Sequence, residues 1–173
     1  KSFEGDDNIS LILNLAAIHR EPGHFDWEYY ETNLKGATNI TKWADKIGCK
    51  DIIFASSISP YGLSEDIRDE NSLTVPTSAY GGSKLVAEKI HQIWQSNNIN
   101  DKKLIIVRPG VIFGPSEGGN VSRLIKAIKG NYFFYMGNRN TRKAGIYIKE
   151  LTNFVMWLYE DQILPKNKNY ILA

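Results

Sequence analysis

Short apolar runs alternate with longer stretches of helical period along this chain. Ser10–Ala17 (SLILNLAA) is apolar on both faces and ends in small residues, the pattern of a buried parallel strand. Between Trp27 and Gly48 the period changes. Ala37, Ile40, Ala44 and Ile47 recur at helical spacing, Lys35, Lys42, Asp45 and Lys46 fall outward, and Gly48 supplies a C-terminal stop. Asp51–Ser57 (DIIFASS) predicts a second buried strand. Ser64–Ala79 reads as loop, and Tyr80–Asn97 as a second helix with Val86, Ile90, Ile93 and Trp94 on its apolar face. Lys103–Pro109 (KLIIVRP) predicts a third strand. Beyond it the pattern predicts a helix over Val121–Lys129 with Leu124, Ile125 and Ile128 inward. Strands follow at Tyr132–Met136 and Ile146–Ile148, then a helix over Leu151–Tyr159 and a last strand at Tyr170–Leu172. Strand, helix, strand, helix, strand is the order of parallel βαβ units with right-handed crossovers, so the fold class is α/β with helices flanking a parallel sheet. Ligands of such sheets bind beyond the carboxyl ends of the strands. Ala16–His19, Ser56–Ser59, Arg108–Gly114 and the start of the Tyr80 helix are expected on that one edge.

Composition adds limits. The chain has 173 residues, 42% apolar and 23% charged, enough for one domain with a substantial core. A net charge of +2 is too balanced to imply a nucleic-acid or membrane-surface partner. No apolar run is long enough to span a bilayer, and the opening Lys1–Asp7 does not have the form of a signal peptide. The single cysteine, Cys49, fits a reducing compartment and reads as structural, so a cytoplasmic location is expected. His19, His24 and His91 lack the spacing of a zinc site, and no metal is expected.

Candidate chemistry gathers at Tyr80-Gly81-Gly82-Ser83-Lys84. At the start of a helix, Tyr80 and Lys84 share a face with Cβ atoms about 5–6 Å apart. A neighbouring cation favours the phenolate, which makes a usable acid/base from a group that ordinarily titrates near about 10. Such a pair exchanges a proton with a sugar or alcohol hydroxyl.

With that pair in place, six segments in order resemble the NAD-dependent nucleotide-sugar epimerase/dehydratase family, within the extended short-chain dehydrogenase/reductase superfamily. They are Asn14–Ala17, Tyr30–Ala37 (an "N-x-x-G-T" helix start), Ser56–Gly62 ("SSxxVYG"), Tyr80–Lys84 ("YGxSK"), Arg108–Pro115 ("RPxxVYGP") and Arg142–Leu151. The resemblance implies a Rossmann-like sheet. It also implies a catalytic triad: Tyr80 as acid/base, Lys84 as its partner and ribose ligand, and Ser57 bonded to the reacting hydroxyl. Ser56 stands as the fallback for Ser57 and as a cofactor contact. The other reading of both serines is a strand-end turn capping its own backbone. Ala16 and Ala17 are placed against the cofactor, with Pro109 and Val111 at the nicotinamide carboxamide. Asn33 either holds a backbone kink or a water in a proton path, or caps a helix. Asn120, Arg123 and Arg142, with Lys143 beside them, are candidates for the substrate diphosphate; a solvated basic face is the alternative.

The family's Gly-rich G-x-x-G-x-x-G turn is not in these 173 residues, so the chain is expected to be part of a larger enzyme. Residues 1–115 then form part of a dinucleotide-binding domain, and 116–173 part of a substrate lobe interleaved with its sheet. NAD is the expected cofactor, with NADP open, and a homodimer is expected for the complete protein. Three departures bear on the substrate. Val111 replaces an Asn common in UDP-galactose-type epimerases. Lys143 stands near where they carry Arg. Ile58-Ser59 replaces the Asp-Glu pair of 4,6-dehydratases. The resemblance implies epimerisation of a nucleotide sugar at C4, with a reductase or dehydrogenase, or a non-catalytic dinucleotide sensor, as alternatives.

Overall fold

A computed structural model describes residues 9–19, 23–135, 137–160 and 168–172. Its elements run β1 (Leu11–Asn14), α1 (Asp26–Ile47), β2 (Asp51–Ala55), a 3-10 turn (Ser59–Tyr61), α2 (Ala79–Ser96), β3 (Lys103–Pro109) and β4 (Val111–Phe113). Then come α3 (Asn120–Lys129), β5 (Gly145–Tyr147), α4 (Ile148–Glu160) and β6 (Lys168–Leu172). Four strands form one parallel sheet in the order β1-β2-β3-β6. The register sets Ile12 opposite Ile52, Ile52 opposite Leu104, and Ile105 opposite Lys168. This is the expected α/β fold.

Alternation along the strands sorts the core into two layers. On one face Ile12, Ile52, Phe54, Leu104 and Ile106 pack with Ala37 and Ala44 of α1 and Ala87 and Trp94 of α2. On the other, Ile53, Ile105 and Val107 pack with Leu158, Phe154 and Val155 of α4. Each fully buried Ile or Leu contributes about 1.5–3 kcal/mol through its transfer from water. Gly48 closes α1 in a left-handed conformation, φ 72°, as its position predicts. Cys49 is buried and free, its thiol pushed up by burial, which fits a structural role.

Four expectations change. β1 is not buried on both faces: Leu13 and Leu15 are 42% and 64% exposed, because the α4 layer reaches Leu11 and no further. The buried face of α2 is not Val86–Ile90–Ile93–Trp94. Val86 and Ile93 are exposed, and Lys84, Glu88, His91 and Gln95 are buried with Ala87 and Trp94. Those polar side chains repeat at helical spacing and find partners on other elements, which a hydrophobic pattern does not register. α3 buries no residue, and Leu124, Ile125 and Ile128 are exposed. Tyr132–Tyr135 form no strand and are exposed; Met136 lies outside the described residues. The backbone there turns back on α3 through Tyr132 N–H to the Ala127 carbonyl (3.1 Å), so no ladder partner meets it. Beside the main sheet, β4 and β5 pair in parallel. Gly110 lets them meet: a Cβ there would lie 2.6 Å from the Ala144 carbonyl oxygen.

Candidate active site

The carboxyl end of β2 and the first turns of α2 form the centre. β2 ends at Ala55, and Ser56–Tyr61 turns away from it. The turn stays tied to β3 through Ser56 N–H to Val107 O (2.7 Å) and Ile58 N–H to Pro109 O (3.1 Å). α2 begins beside it. Ser78 caps the helix by accepting the Gly81 N–H at 3.2 Å, an interaction of the type that fixes a helix start. Gly81 permits the approach: a Cβ there would lie 2.6 Å from the Ser59 carbonyl oxygen. Gly82 does the same for Tyr30 of α1, whose hydroxyl would lie 2.4 Å from an added Cβ.

Tyr80 is half-buried, with its ring edge-on to the buried Tyr29 of α1 at 6.1 Å. Lys84, one helical turn on, is 2% exposed. Its Nζ donates to the Ala55 carbonyl at 2.5 Å and lies 4.4 Å above the Phe54 ring. Burial pulls its pKa down to about 8, against the opposing pull of the Glu88 carboxylate. Ser57 is half-buried; its hydroxyl donates to Ser59 Oγ (3.0 Å) and accepts the Ser59 N–H (3.1 Å). These are the bonds of a turn capping itself, and they hold the Ser57 hydroxyl at the strand end. Ser56 has a different engagement: its hydroxyl is buried and donates to Glu88 Oε1 at 2.5 Å, which ties it to α2.

For Asn33 the helix-cap alternative falls away. It lies inside α1, so it is neither at a helix start nor an N-cap; Phe25 occupies that position. Its buried amide grips the segment after β1: Ile18 N–H donates to Oδ1 (3.0 Å), while Nδ2 donates to Ile18 O (3.4 Å) and Ser83 Oγ (2.9 Å). It therefore joins β1's exit to α2. Ala16 is exposed and Ala17 half-buried on that exit, Pro109 is buried and Val111 half-buried at the end of β3.

Four residues escaped the sequence reading. Asn14 ends β1 with its Oδ1 accepting the Ala16 N–H (3.1 Å) and its Nδ2 meeting His91 Nε2 (3.2 Å). That leaves the His91 Nδ1–H to donate to Ala87 O at 2.8 Å, so the ring is neutral. It stacks on Phe54 at 4.2 Å, and burial holds its pKa down at about 4. Glu88 and Arg108 form a buried bidentate ion pair, Nε to Oε1 at 2.9 Å and Nη2 to Oε2 at 2.6 Å. Burial pulls Arg108 down, and its bonds to Glu88 and Tyr61 outweigh that and hold it above its usual value. The sequence did carry one sign of this group: Lys84, Glu88 and His91 recur at helical spacing after Tyr80.

The substrate candidates lie apart, on and around α3 and β5. Asn120, Arg123, Arg142 and Lys143 are exposed, and Arg123 donates to Asn120 Oδ1 at 2.6 Å. The amino end of α3 is already faced by an anion: Glu117 accepts from Ser122 N–H (3.1 Å) and Ser122 Oγ (2.7 Å).

Comparison with known proteins decides the family. Residues 1–173 match the Epimerase family, the NAD dependent epimerase/dehydratase family. The chain belongs to that family. An N-acetyl-α-D-glucosaminyl-diphospho-ditrans,octacis-undecaprenol 4-epimerase of Escherichia coli O157:H7 is 35% identical over 157 residues, covering 91% of this chain and 46% of the relative. A UDP-glucose 4-epimerase of Vibrio cholerae is 31% identical over 148 residues, 83% of this chain and 43% of its own. Among solved structures, a UDP-N-acetylglucosamine 4-epimerase from Bacillus cereus superposes with a TM-score of 0.80 at 19% identity, covering 96% of this chain and 58% of the other. The epimerase/dehydratase chain described here thus spans about half the length of the relatives it matches. Among the described residues no helix is long and apolar enough to cross a membrane, and no cluster of His, Cys, Asp and Glu has the form of a metal site.

Proposed function

We propose that the complete protein is an NAD-dependent 4-epimerase of a diphosphate-linked sugar, with Ser57, Tyr80 and Lys84 as its reacting groups. The observation that carries this reading is the meeting of the β2 end with the first turns of α2 at the carboxyl edge of a parallel sheet. NAD, when bound, supplies the hydride acceptor and donor. Tyr80 takes the C4 hydroxyl proton as that carbon is oxidised, and returns it when the opposite face of the keto-sugar is reduced. Ser57 donates to the C4 oxygen. Lys84 brings a desolvated cation to the same helical face, which favours the Tyr80 phenolate. An ammonium has three donors, and the Ala55 carbonyl takes one. The small exposed Ala16, Ala17 beside it, and the Pro109–Val111 strand end fit the nicotinamide half of the cofactor. We place residues 116–173 in the substrate lobe, with Asn120, Arg123 and Arg142 toward the diphosphate.

The test is to incubate the purified full-length protein with a panel of sugar donors and follow epimer and NADH together. Epimer without net NADH supports the reading. Steady NADH accumulation, or no epimer from any donor, overturns it.

A second reading concerns the carrier. The 35%-identical relative is named for a sugar on undecaprenyl diphosphate. In this chain seven of the 21 basic side chains and none of the 19 acidic ones lie between Gly118 and Lys149, which leaves 14 basic against 19 acidic elsewhere. That segment also exposes Ile128, Tyr132, Phe133, Phe134 and Tyr135. Local charge of this kind suits an anionic lipid surface even where the whole-chain charge is near neutral. A higher kcat/KM on polyprenyl-diphosphate-linked N-acetylglucosamine than on its UDP counterpart would select the lipid carrier; the reverse order would select the nucleotide.

A further inference from the structure

We propose that Glu88 is a positioning residue: it clamps the Ser56–Tyr61 turn to α2 and so fixes where Ser57 stands relative to Tyr80 and Lys84. The inference rests on the assignment of those three groups to the reaction, and its test separates the two.

Glu88 is 0% and Arg108 4% exposed, yet neither touches the outside of the fold to earn its place there. Buried ion pairs are often replaceable by apolar residues of similar volume at little loss of stability, so holding α2 to the sheet is not a sufficient reason for one here. The geometry points to position. One carboxylate oxygen accepts from Ser56 Oγ (2.5 Å) and Arg108 Nε (2.9 Å), the other from Arg108 Nη2 (2.6 Å). The remaining arm of Arg108, Nη1, donates to the Tyr61 hydroxyl at 2.5 Å, with the guanidinium carbon 4.9 Å from that ring's centroid. One end of the turn, Ser56, is therefore fastened directly to Glu88 of α2, and the other end, Tyr61, reaches the same carboxylate through Arg108 of β3. The same helix meets the strand end at two earlier points, Gly81 against the Ser59 carbonyl and Lys84 on the Ala55 carbonyl. Ser57 sits between the anchored Ser56 and Ile58, and its own hydroxyl is engaged only with Ser59 among the bonds described. With Glu88 in place, the turn cannot slide along α2 without breaking a desolvated charge network.

Glu88 also faces Lys84 electrostatically. The ammonium interacts with the Glu88 carboxylate and with His91 on its own helix, and Glu88 in turn faces Arg108 of β3 and Tyr61 of the turn. Removing the Glu88 carboxylate takes away the charge that opposes the effect of burial on Lys84. Its deprotonation then moves to lower pH, and the alkaline limb of the rate profile moves with it.

The test uses the full-length protein and whichever sugar donor the panel identifies, with Ser56→Ala, Ser56→Thr, Glu88→Gln and Tyr80→Phe. Ser56→Ala should lower kcat about tenfold, the loss expected for a hydrogen bond to a charged group, with KM within about twofold and the pH profile unmoved. Ser56→Thr, which keeps the hydroxyl, should restore kcat. Glu88→Gln should lower kcat similarly and shift the alkaline limb downward. If Tyr80→Phe abolishes turnover while Ser56→Ala and Glu88→Gln both retain wild-type kcat and pH profile, the clamp is wrong and the triad stands. If Tyr80→Phe turns over normally, the assignment beneath the clamp has failed. Should Glu88→Gln not fold, the Ser56 pair decides alone: loss with Ala and rescue with Thr supports positioning, and equal activity of both overturns it.

Discussion

A single ring shows how much one residue carries here. His91 is fully buried, stacked on Phe54, and bonded on both nitrogens, to Asn14 on one side and the Ala87 carbonyl on the other. Asn14 in turn fixes the backbone at Ala16, so the state of His91 is felt at the exit of β1. Its folded pKa of about 4 lies below the ordinary 6.5. Between those values the unfolded chain binds the proton and the folded chain does not, so the stability present above about pH 6.5 is lost as pH falls toward 4. The expected loss at pH 5 is about 2 kcal/mol. Urea unfolding at pH 7 and pH 5 measures it. His91→Gln should be less stable at pH 7 and show a flatter dependence between the two; an equally steep dependence in the variant would assign the acid loss to other groups.

At the scale of elements, the start of α2 decides the site. Ser78, Gly81 and Gly82 together set where the helix begins and how closely it approaches the turn and α1. Ser78→Ala removes the cap and should cost about 1 kcal/mol, read as a lower urea midpoint with an unchanged slope. Gly81→Ala places a methyl against the Ser59 carbonyl, and α2 must shift. About 1–3 kcal/mol of stability should go with it, together with a larger share of activity than Ser78→Ala removes, because the shift falls between Ser57 and Tyr80. Equal activity losses in the two variants would mean that the approach at Gly81 is not what sets the geometry. The elements around this start were legible from periodicity, since β2, β3 and α1 each keep one period from end to end. The buried face of α2 was not, because Lys84, Glu88 and His91 satisfy their polar groups with residues distant in the chain.

Across the whole molecule, charge divides by segment. The stretch from Gly118 to Lys149 carries seven basic and no acidic side chains, and the remainder is net acidic. If Arg123 and Arg142 serve a diphosphate, Arg123→Ser and Arg142→Ser should each raise KM about tenfold with kcat little changed, since the diphosphate is bound alike before and during reaction. The same KM should rise with ionic strength in the parent protein and less steeply in the variants. An unchanged KM in both would leave these arginines as a solvated face. The whole-chain charge of +2 hid this division, as a sum always does.

The sequence by itself determined the layered α/β order, the parallel strands, the stop at Gly48 and the segment that carries Tyr80 and Lys84, because each depends on local period or local turn chemistry. It misplaced what depends on neighbours. Leu124, Ile125, Ile128 and Tyr132–Tyr135 are apolar, but burial requires a facing surface, and among the described residues none covers them. Asn33 stands in a motif read as a helix start, yet only the folded chain brings Ile18 and Ser83 to its amide. Ser56 and Ser57 are adjacent and chemically identical in the sequence. Tertiary structure separated them, giving the hydroxyl of Ser56 to Glu88 and leaving that of Ser57 at the strand end, since only the fold decides which side of the turn meets α2.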